Sequence, residues 1–312
     1  AGEDMKIEEL YCLLPASPVD EKNFDLEKWR RECPMDYFKA VYVLQQGKGI
    51  VQDEIFKSIY RVVRLYLPDT LYKYYSLTDD QELNTKKLET LMSKKIFLSD
   101  IKDFNDPFDS KAFYYDPECL KISPELNRCD GKFIDDFTTY IKSTSLTAND
   151  VQSMPMWAHY AGNHTGFCVS YNMANNPELS SCTFPVQYSA ERLDITSVMK
   201  KYAEMLLEEI SRQASLGNKQ IVVEDLSIIY MTLLLSNIKH VSWNYEKEYR
   251  CTIAANATGS PYVSANPKQI FVGLKCSYKN AMKLQEIGDK LGVPVHRMGF
   301  DEISPSYKLS II

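Results

Sequence analysis

The sequence has little that would place it in a membrane or on nucleic acid. Its longest apolar run, residues 228–235, is far shorter than the roughly 20 residues that a helix needs to cross a bilayer. Acidic residues outnumber basic ones by 42 to 36, which gives a formal net charge of −6. A general nucleic-acid binder usually carries a basic excess instead. We therefore expect no membrane association and no general affinity for nucleic acid.

Cysteine pairs with metal-binding or redox spacing are also missing. The eight cysteines are scattered, and none forms a Cys-x-x-Cys pair. A chain of 312 residues buries enough apolar surface to fold without disulfides. The first ten residues are polar and acidic, unlike a signal peptide. These features predict free thiols in a reducing, cytoplasmic compartment.

The familiar signatures of cofactor and nucleophile sites are absent from the sequence. It contains no Gly-x-Gly-x-x-Gly, no P-loop, no Gly-x-Ser-x-Gly and no aspartate-rich calcium loop. Only four histidines occur, and His159 and His164 lie five residues apart rather than at the four-residue spacing of the His-Glu-x-x-His zinc motif. We expect no resident metal.

Hydrophobic periodicity predicts a helical start to the chain. Residues 25–32, 36–46 and 53–67 place apolar side chains at three- and four-residue spacing, which is typical of amphipathic helices. Residues 1–68 are therefore predicted to form a small helical region. We interpret it as a packing appendage or as an arm for homo-oligomerisation, with a partner-docking module as the alternative.

Residues 69–312 mix strands and helices without the strict alternation of a parallel sheet. The predicted fold class is α+β: a mixed, largely antiparallel sheet with flanking helices forms the candidate catalytic domain. Strands are predicted at 71–77, 96–99, 166–171, 184–188, 243–253 and 269–274, followed by two more near the end of the chain. Helices are predicted at 85–95, 131–143, 151–161, 191–215, 223–239 and 277–291.

Residues 243–250, Trp-Asn-Tyr-Glu-Lys-Glu-Tyr-Arg, carry the most chemical information. In a strand, Glu246, Glu248 and Arg250 would share one face. Burying them would be costly unless they were paired. They form either a solvated charge ladder or a catalytic site, in which Glu248 or Glu246 acts on a substrate hydroxyl or an oxocarbenium-like centre. Arg250 would then hold phosphate or fix the carboxylate.

Two further segments supply polar candidates. In residues 104–109, Phe-Asn-Asp-Pro-Phe-Asp, Asn105 and Asp106 precede a proline, which prevents helix at Asp106 and fixes a turn. Asp106 is expected either to cap the backbone or to face a pocket. In residues 71–77, packing accounts for Lys73 less readily than for its aromatic neighbours.

A third segment, residues 156–166, contains His159, Tyr160 and His164. A histidine in such a segment either hydrogen-bonds a core carboxylate or donates to a phosphate or hydroxyl of a ligand. Both interpretations stay open on the sequence alone.

Together these segments resemble the bacterial proteins grouped as domain of unknown function 2971. The resemblance rests on Tyr72–Tyr74, Phe104–Asp109, Met156–Gly166 and Trp243–Arg250, and it extends over about residues 70–310. Each motif is weak alone, and their combination is specific. Where family members often have an arginine after Tyr-Lys-Tyr, this chain has Tyr75.

The layout of strands and helix is also distantly similar to that of NAD-using ADP-ribosyltransferases. This likeness implies that NAD is the substrate and that Lys73 grips its ribose or diphosphate. Tyr160 or Tyr75 would stack on nicotinamide, and Glu248 or Glu246 would stabilise the ribosyl cation. The candidate catalytic residues are Glu248, Glu246 and His159. The candidate ligand-binding residues are Lys73, Tyr75, Asn105, Asp106, Tyr160, His164 and Arg250.

The leading hypothesis is an ADP-ribosyltransferase or NAD-cleaving enzyme acting in bacterial defence or stress response. Its partner would be a small-molecule nucleotide, with a protein or nucleic-acid acceptor that the sequence does not identify. One alternative is a hydrolase or nuclease that uses Asp106, His159 and Glu248 with a divalent ion. Another is a non-enzymatic module that binds or senses a nucleotide without turnover.

Overall fold

The computed structural model describes residues 67–109, 111–132, 137–222, 236–254 and 260–312. The helical region predicted over residues 1–68 lies outside these ranges, apart from Leu67 and Pro68 at its end. The oligomerisation arm that we assigned to it therefore stays a prediction.

Within these ranges the chain forms short strands and helices in mixed order. The strands are β1 (Thr70–Tyr75), β2 (Lys95–Phe97), β3 (Phe113–Tyr114), β4 (Ile141–Thr147), β5 (Phe167–Asn172), β6 (Thr183–Pro185), β7 (Gln187–Ser189), β8 (Leu193–Asp194), β9 (Ile238–His240), β10 (Glu248–Ala254), β11 (Tyr262–Ser264), β12 (Gln269–Val272), β13 (Val295–Phe300) and β14 (Leu309–Ile311). The α-helices are α1 (Gln81–Met92), α2 (Pro124–Arg128), α3 (Met154–Tyr160), α4 (Pro177–Ser181), α5 (Thr196–Ser215) and α6 (Tyr278–Leu291).

Eight of the described strands build one sheet in the order β14-β13-β12-β5-β1-β4-β10-β6. Neighbouring strands run antiparallel, except for the parallel pair β12 and β13. The predicted α+β class with a largely antiparallel sheet is confirmed. No helix in the described ranges is long and apolar enough to cross a bilayer.

Helices cover both faces of this sheet. On one face, Leu88 of α1 and Leu284 of α6 join a buried cluster with Leu71 of β1 and Val169 of β5. On the other face, Trp157 of α3 packs in a second cluster that includes Tyr74, Cys168 and Phe271. Helices α1 and α6 begin at capped residues, since the side chains of Asp80 and Ser277 accept hydrogen bonds from backbone N–H groups in their first turns.

The centre of the sheet opens between β1 and β4. Strand β1 pairs with β5 from Thr70 to Tyr75, but it pairs with β4 only where Tyr72 lies opposite Thr147. The Lys73 side chain then bridges the two strands, because its ammonium donates to Thr144 Oγ1 at 2.7 Å and to the Ser145 carbonyl at 3.1 Å. Polar side chains therefore replace backbone pairing at this place.

The structure corrects three of the secondary-structure predictions. The helix predicted at 131–143 is wrong: residues Ile141–Thr147 form β4, because β-branched side chains there pack on a pleated, half-buried surface. The strand predicted at 243–253 begins only at Glu248, after the 3-10 helix Val241–Glu246. The helix predicted at 223–239 is wrong at its C-terminal end, because Ile238–His240 form strand β9. Residues 223–235 of that prediction lie outside the described ranges.

Gly166 offers a test of how closely β1 and β5 pack. A Cβ at this position would lie 1.9 Å from the Tyr75 carbonyl oxygen, so Gly166→Ala must displace main chain. We expect it to lower the free energy of unfolding by about 3 kcal/mol in chemical denaturation. As the control, Gly217→Ala meets no atom within 4 Å and should cost only about 1 kcal/mol for its left-handed backbone. Equal losses would contradict the packing.

Candidate active site

A cavity of about 210 Å³ lies where β1 and β4 separate. Its walls come from β1, β4, the start of β10, the turn after Phe104, helix α3 and strand β9. Residues that line it include Lys73, Asn105, Asp106, Asp109, Thr144, Ser145, Tyr160, Lys239, Glu246 and Glu248. Asp103 also lines the cavity, so five carboxylates and two ammonium groups meet around one small space.

Arg250 forms the buried base of this site. It is fully buried, and its Nε lies 2.7 Å from Glu248 Oε1 while its Nη2 lies 2.5 Å from Asp109 Oδ1. Its Nη1 donates to the Ser236 carbonyl at 2.7 Å, and its guanidinium lies over the Phe104 ring at 5.2 Å. These contacts tie β10 to the 104–109 turn and to the residues before β9.

Lys239 links the two glutamates. Its Nζ lies 2.8 Å from Glu246 Oε2 and 3.1 Å from Glu248 Oε2. The other oxygens have different partners: Ser145 Oγ donates to Glu248 Oε1 at 2.5 Å, and Tyr160 OH donates to Glu246 Oε1. Both carboxylates are almost completely buried, so each depends on these partners for its stability.

The local backbone explains how two glutamates separated by one residue come to lie together. Glu246 ends the 3-10 helix, and Lys247 follows in a left-handed conformation with φ of 44°, so Glu248 begins β10 after a sharp corner. Thr147 Oγ1 donates to the Glu246 carbonyl at 2.5 Å, and the Tyr188 hydroxyl accepts from the Glu248 N–H at 2.9 Å. These bonds hold the corner against β4 and β7.

The environments of the two glutamates shift their pKa values in opposite directions. Desolvation opposes ionisation of Glu248, but the charges of Arg250 and Lys239 outweigh it and bring its pKa down to about 2. For Glu246, desolvation prevails over the attraction of Lys239 and raises the pKa above 4.5. Glu248 is thus a fixed negative charge, and Glu246 is the carboxylate better suited to exchange a proton.

Burial also shifts the pKa of Lys73, an ammonium group that lines the cavity. Desolvation lowers the pKa of Lys73 to about 8, with Cys251 and Glu248 acting in the opposite sense. Lys73 is therefore mostly protonated at neutral pH. Two of its three N–H donors are used by Thr144 and Ser145, which leaves one for a ligand acceptor.

Asp106 contributes an acceptor that has no hydrogen-bond partner within the described part of the chain. Its Oδ1 accepts from the Phe108 N–H at 2.9 Å and so stabilises the turn. Its Oδ2 is buried and has no hydrogen-bond partner among the described residues. A buried carboxylate oxygen without a donor is costly, so a ligand that supplies an N–H or O–H would relieve this cost.

The structure brings most of the predicted site residues together. Lys73, Asp106, Tyr160, Glu246 and Glu248 line the cavity, with exposed Asn105 at its rim. Arg250 does not line it and acts through Glu248 and Asp109. The alternative of a solvated charge ladder is wrong, because none of the three residues in that row is more than 3% exposed.

Three predicted site residues lie elsewhere. His159 is exposed and faces the Tyr245 ring at 6.2 Å. His164 is stacked on Trp157 at 6.2 Å, and Tyr75 is stacked on Phe167 at 4.7 Å. None of the three lines the cavity. His159 and Tyr160 are consecutive residues of α3 and therefore face different directions, His164 packs on Trp157 after the helix ends, and Tyr75 packs against the core.

Sequence reasoning missed four contributors to the site: Lys239, Asp109, Thr144 and Ser145. The signal for the last two is the polar Ser-Thr-Ser run at 143–145, of which the helix predicted at 131–143 includes only Ser143. Lys239 was placed in the helix predicted at 223–239. Asp109 was not among the candidate site residues, although its carboxylate pairs with Arg250. No three His, Cys, Asp or Glu side chains in the described ranges converge in a geometry that could hold a metal ion.

The fold and site define an α+β protein whose split sheet holds a cavity built around paired, buried carboxylates. Residues 156–251 match the model of a family described as "Protein of unknown function (DUF2971)". This segment includes both glutamates and Arg250, and it supports the family resemblance over that range, whereas Lys73 and the 104–109 turn lie outside it. Comparison with curated proteins and with solved structures found no match. None of these comparisons supports the likeness to ADP-ribosyltransferases.

Arg250 offers a direct test of the buried network. Arg250→Ala would leave Asp109 and Glu248 buried without their guanidinium partner, so we expect the free energy of unfolding to fall by about 3–5 kcal/mol. The matched control is Arg212→Ala, which breaks the exposed pair with Glu209 and should cost less than about 1 kcal/mol. Chemical denaturation measures both. A loss for Arg250→Ala no larger than that of the control would contradict the network.

Proposed function

We propose that the protein is an NAD-cleaving enzyme or ADP-ribosyltransferase that acts in the cytoplasm. The observation that carries this proposal is the pair of buried glutamates in one cavity, one with a lowered and one with a raised pKa. Two carboxylates in such different states suit a reaction in which positive charge develops on a sugar while a proton leaves the attacking group.

The proposed reaction breaks the bond between the anomeric carbon of the ribose and the nicotinamide nitrogen. The bonding electron pair leaves with nicotinamide, and an oxocarbenium cation forms on the ribose. Glu248, held ionised by Arg250 and Lys239, stabilises this cation electrostatically. Water or an acceptor hydroxyl then forms a new bond to the anomeric carbon, and its proton passes to Glu246.

Glu246 suits the role of base for two reasons. Its raised pKa is closer to neutral pH than that of Glu248, where a proton acceptor is more effective. It is also oriented at both oxygens, by Tyr160 and by Lys239. The base therefore needs little reorganisation when the proton moves.

The remaining polar groups suit the other parts of a nucleotide. The unused N–H of Lys73 would donate to a diphosphate oxygen, as a compact ammonium does at many phosphate sites. The unpartnered Oδ2 of Asp106 would accept from a ribose hydroxyl or from an amide N–H. Cleavage of cellular NAD would in turn suit a role in bacterial defence or stress response.

A metal-assisted hydrolase or nuclease has less support from the geometry. Asp106 and Glu248 line the cavity, but His159 does not. Lys239 and Arg250 already occupy the oxygens of Glu248 that a metal ion would need. A module that binds a nucleotide without turnover would use the same cavity, and it differs from an enzyme only in product formation.

Substitution of the two glutamates tests the proposal. Nicotinamide released from NAD is measured by chromatography, with and without protein or nucleic-acid acceptors. Glu246→Gln removes the base and Glu248→Gln removes the fixed charge, so we expect each to lower the rate at least about 100-fold. The control Glu82→Gln changes only an exposed pair with Lys86 and should keep full activity.

Circular dichroism and denaturation must show that both variants are folded. Full activity in Glu246→Gln and Glu248→Gln would overturn the assignment. No nicotinamide release by the wild-type protein with any acceptor would overturn the proposed reaction.

A further inference from the structure

A second, larger cavity of about 510 Å³ adjoins the first. Asp106 and Lys239 line both cavities, so the two spaces share a wall. The rest of its lining comes from the turn after Asp106, from the residues between β7 and β8, and from β9 with the 3-10 helix that follows it.

The lining of the second cavity differs in chemistry from that of the first. Its apolar and aromatic surface comes from Pro107, Phe108, Ala112, Ile238 and Trp243, and charged side chains such as Glu191 and Arg192 also line it. The first cavity has more ionisable side chains in its lining. The second cavity therefore suits a largely apolar group that carries some polar atoms.

Two aromatic rings are positioned for stacking. Phe108 is 56% exposed although it follows the buried Asp106 by two residues, because Pro107 and the bond from the Phe108 N–H to Asp106 hold the turn. Trp243 is partly buried, and Lys239 Nζ lies over its ring at 4.6 Å. An aromatic ligand stacked on the exposed Phe108 ring would remove apolar surface from water, whereas the Trp243 ring already has the Lys239 ammonium over it.

Asp106 adds a polar requirement at the shared wall. The residue is 94% buried, as its exposure is 6%, and its Oδ2 has no partner among the described residues. A purely hydrocarbon ligand would leave that oxygen unsatisfied. A heterocycle with an exocyclic amine or carboxamide would supply the missing N–H.

We propose that the second cavity binds a planar heterocyclic ring that carries an N–H donor, as part of a ligand whose anionic portion occupies the first cavity. The identity of the ring rests on the proposed function: in NAD it is either adenine or nicotinamide. The two rings share the chemistry that the cavity recognises, and separate probes distinguish them.

The experiment measures binding of NAD, adenosine and nicotinamide to the 312-residue chain by ligand-observed NMR and by calorimetry. Phe108→Ala removes the exposed ring, and Phe300→Ala is the matched control, because Phe300 is 52% exposed at the end of β13 and lines neither cavity. We expect Phe108→Ala to weaken NAD and one of the two ring probes by at least about five-fold, and Phe300→Ala to change neither.

The probe that responds identifies the ring: adenosine indicates adenine, and nicotinamide indicates the carboxamide ring. The proposal is overturned if the wild-type protein binds none of the three probes, or if Phe108→Ala and Phe300→Ala bind them equally. Failure of the proposed reaction gives a different pattern, in which NAD stays intact while a ring probe still binds in a manner that depends on Phe108.

Discussion

The buried guanidinium of Arg250 is the constraint on which the site depends. It neutralises Glu248 within β10 and Asp109 in a turn far away in sequence. Without it, both carboxylates would stay buried but lose their guanidinium partner, a cost of several kcal/mol. Because the same cation holds the 104–109 turn against the sheet, it also places Asp106 and Phe108 beside the cavities. The packing of the turn, the charge balance of the carboxylates and the shape of the site therefore all depend on Arg250.

This network also makes the pKa values of Glu246 and Glu248 differ. Among the described residues, Glu248 has two cations at hydrogen-bond distance, whereas Glu246 has one, Lys239, together with the neutral Tyr160. Desolvation acts on both, and the difference in cationic partners decides the outcome. As a result, Glu248 stays ionised, whereas Glu246 takes up a proton more readily, although a single residue separates them.

The sequence allowed the fold class and much of the cavity to be predicted, because short-range signals sufficed. Alternating aromatic residues identified β1 with Lys73, and Pro107 fixed the turn that carries Asp106. The Glu-x-Glu-x-Arg row was expected to lie on one strand. The corner at Lys247, which brings Glu246 beside Glu248, depends on long-range bonds from Thr147 and Tyr188 that no local pattern reports.

The polar role of β4 and the position of Lys239 were missed for the same reason, since both depend on which strands become neighbours. His159 was predicted to be a catalytic residue, but it does not line the cavity. Consecutive residues such as His159 and Tyr160 do not lie on the same side of a short helix.

The most direct test of the account is a carboxyl carbon-13 NMR titration from pH 4 to pH 9, with Glu246 and Glu248 assigned from their glutamine variants. The predicted result is a Glu248 signal that stays at its ionised position throughout, because its pKa is about 2, and a Glu246 signal that titrates with a midpoint above 4.5. Two signals that titrate together near 4.5 would contradict the split between the two carboxylates.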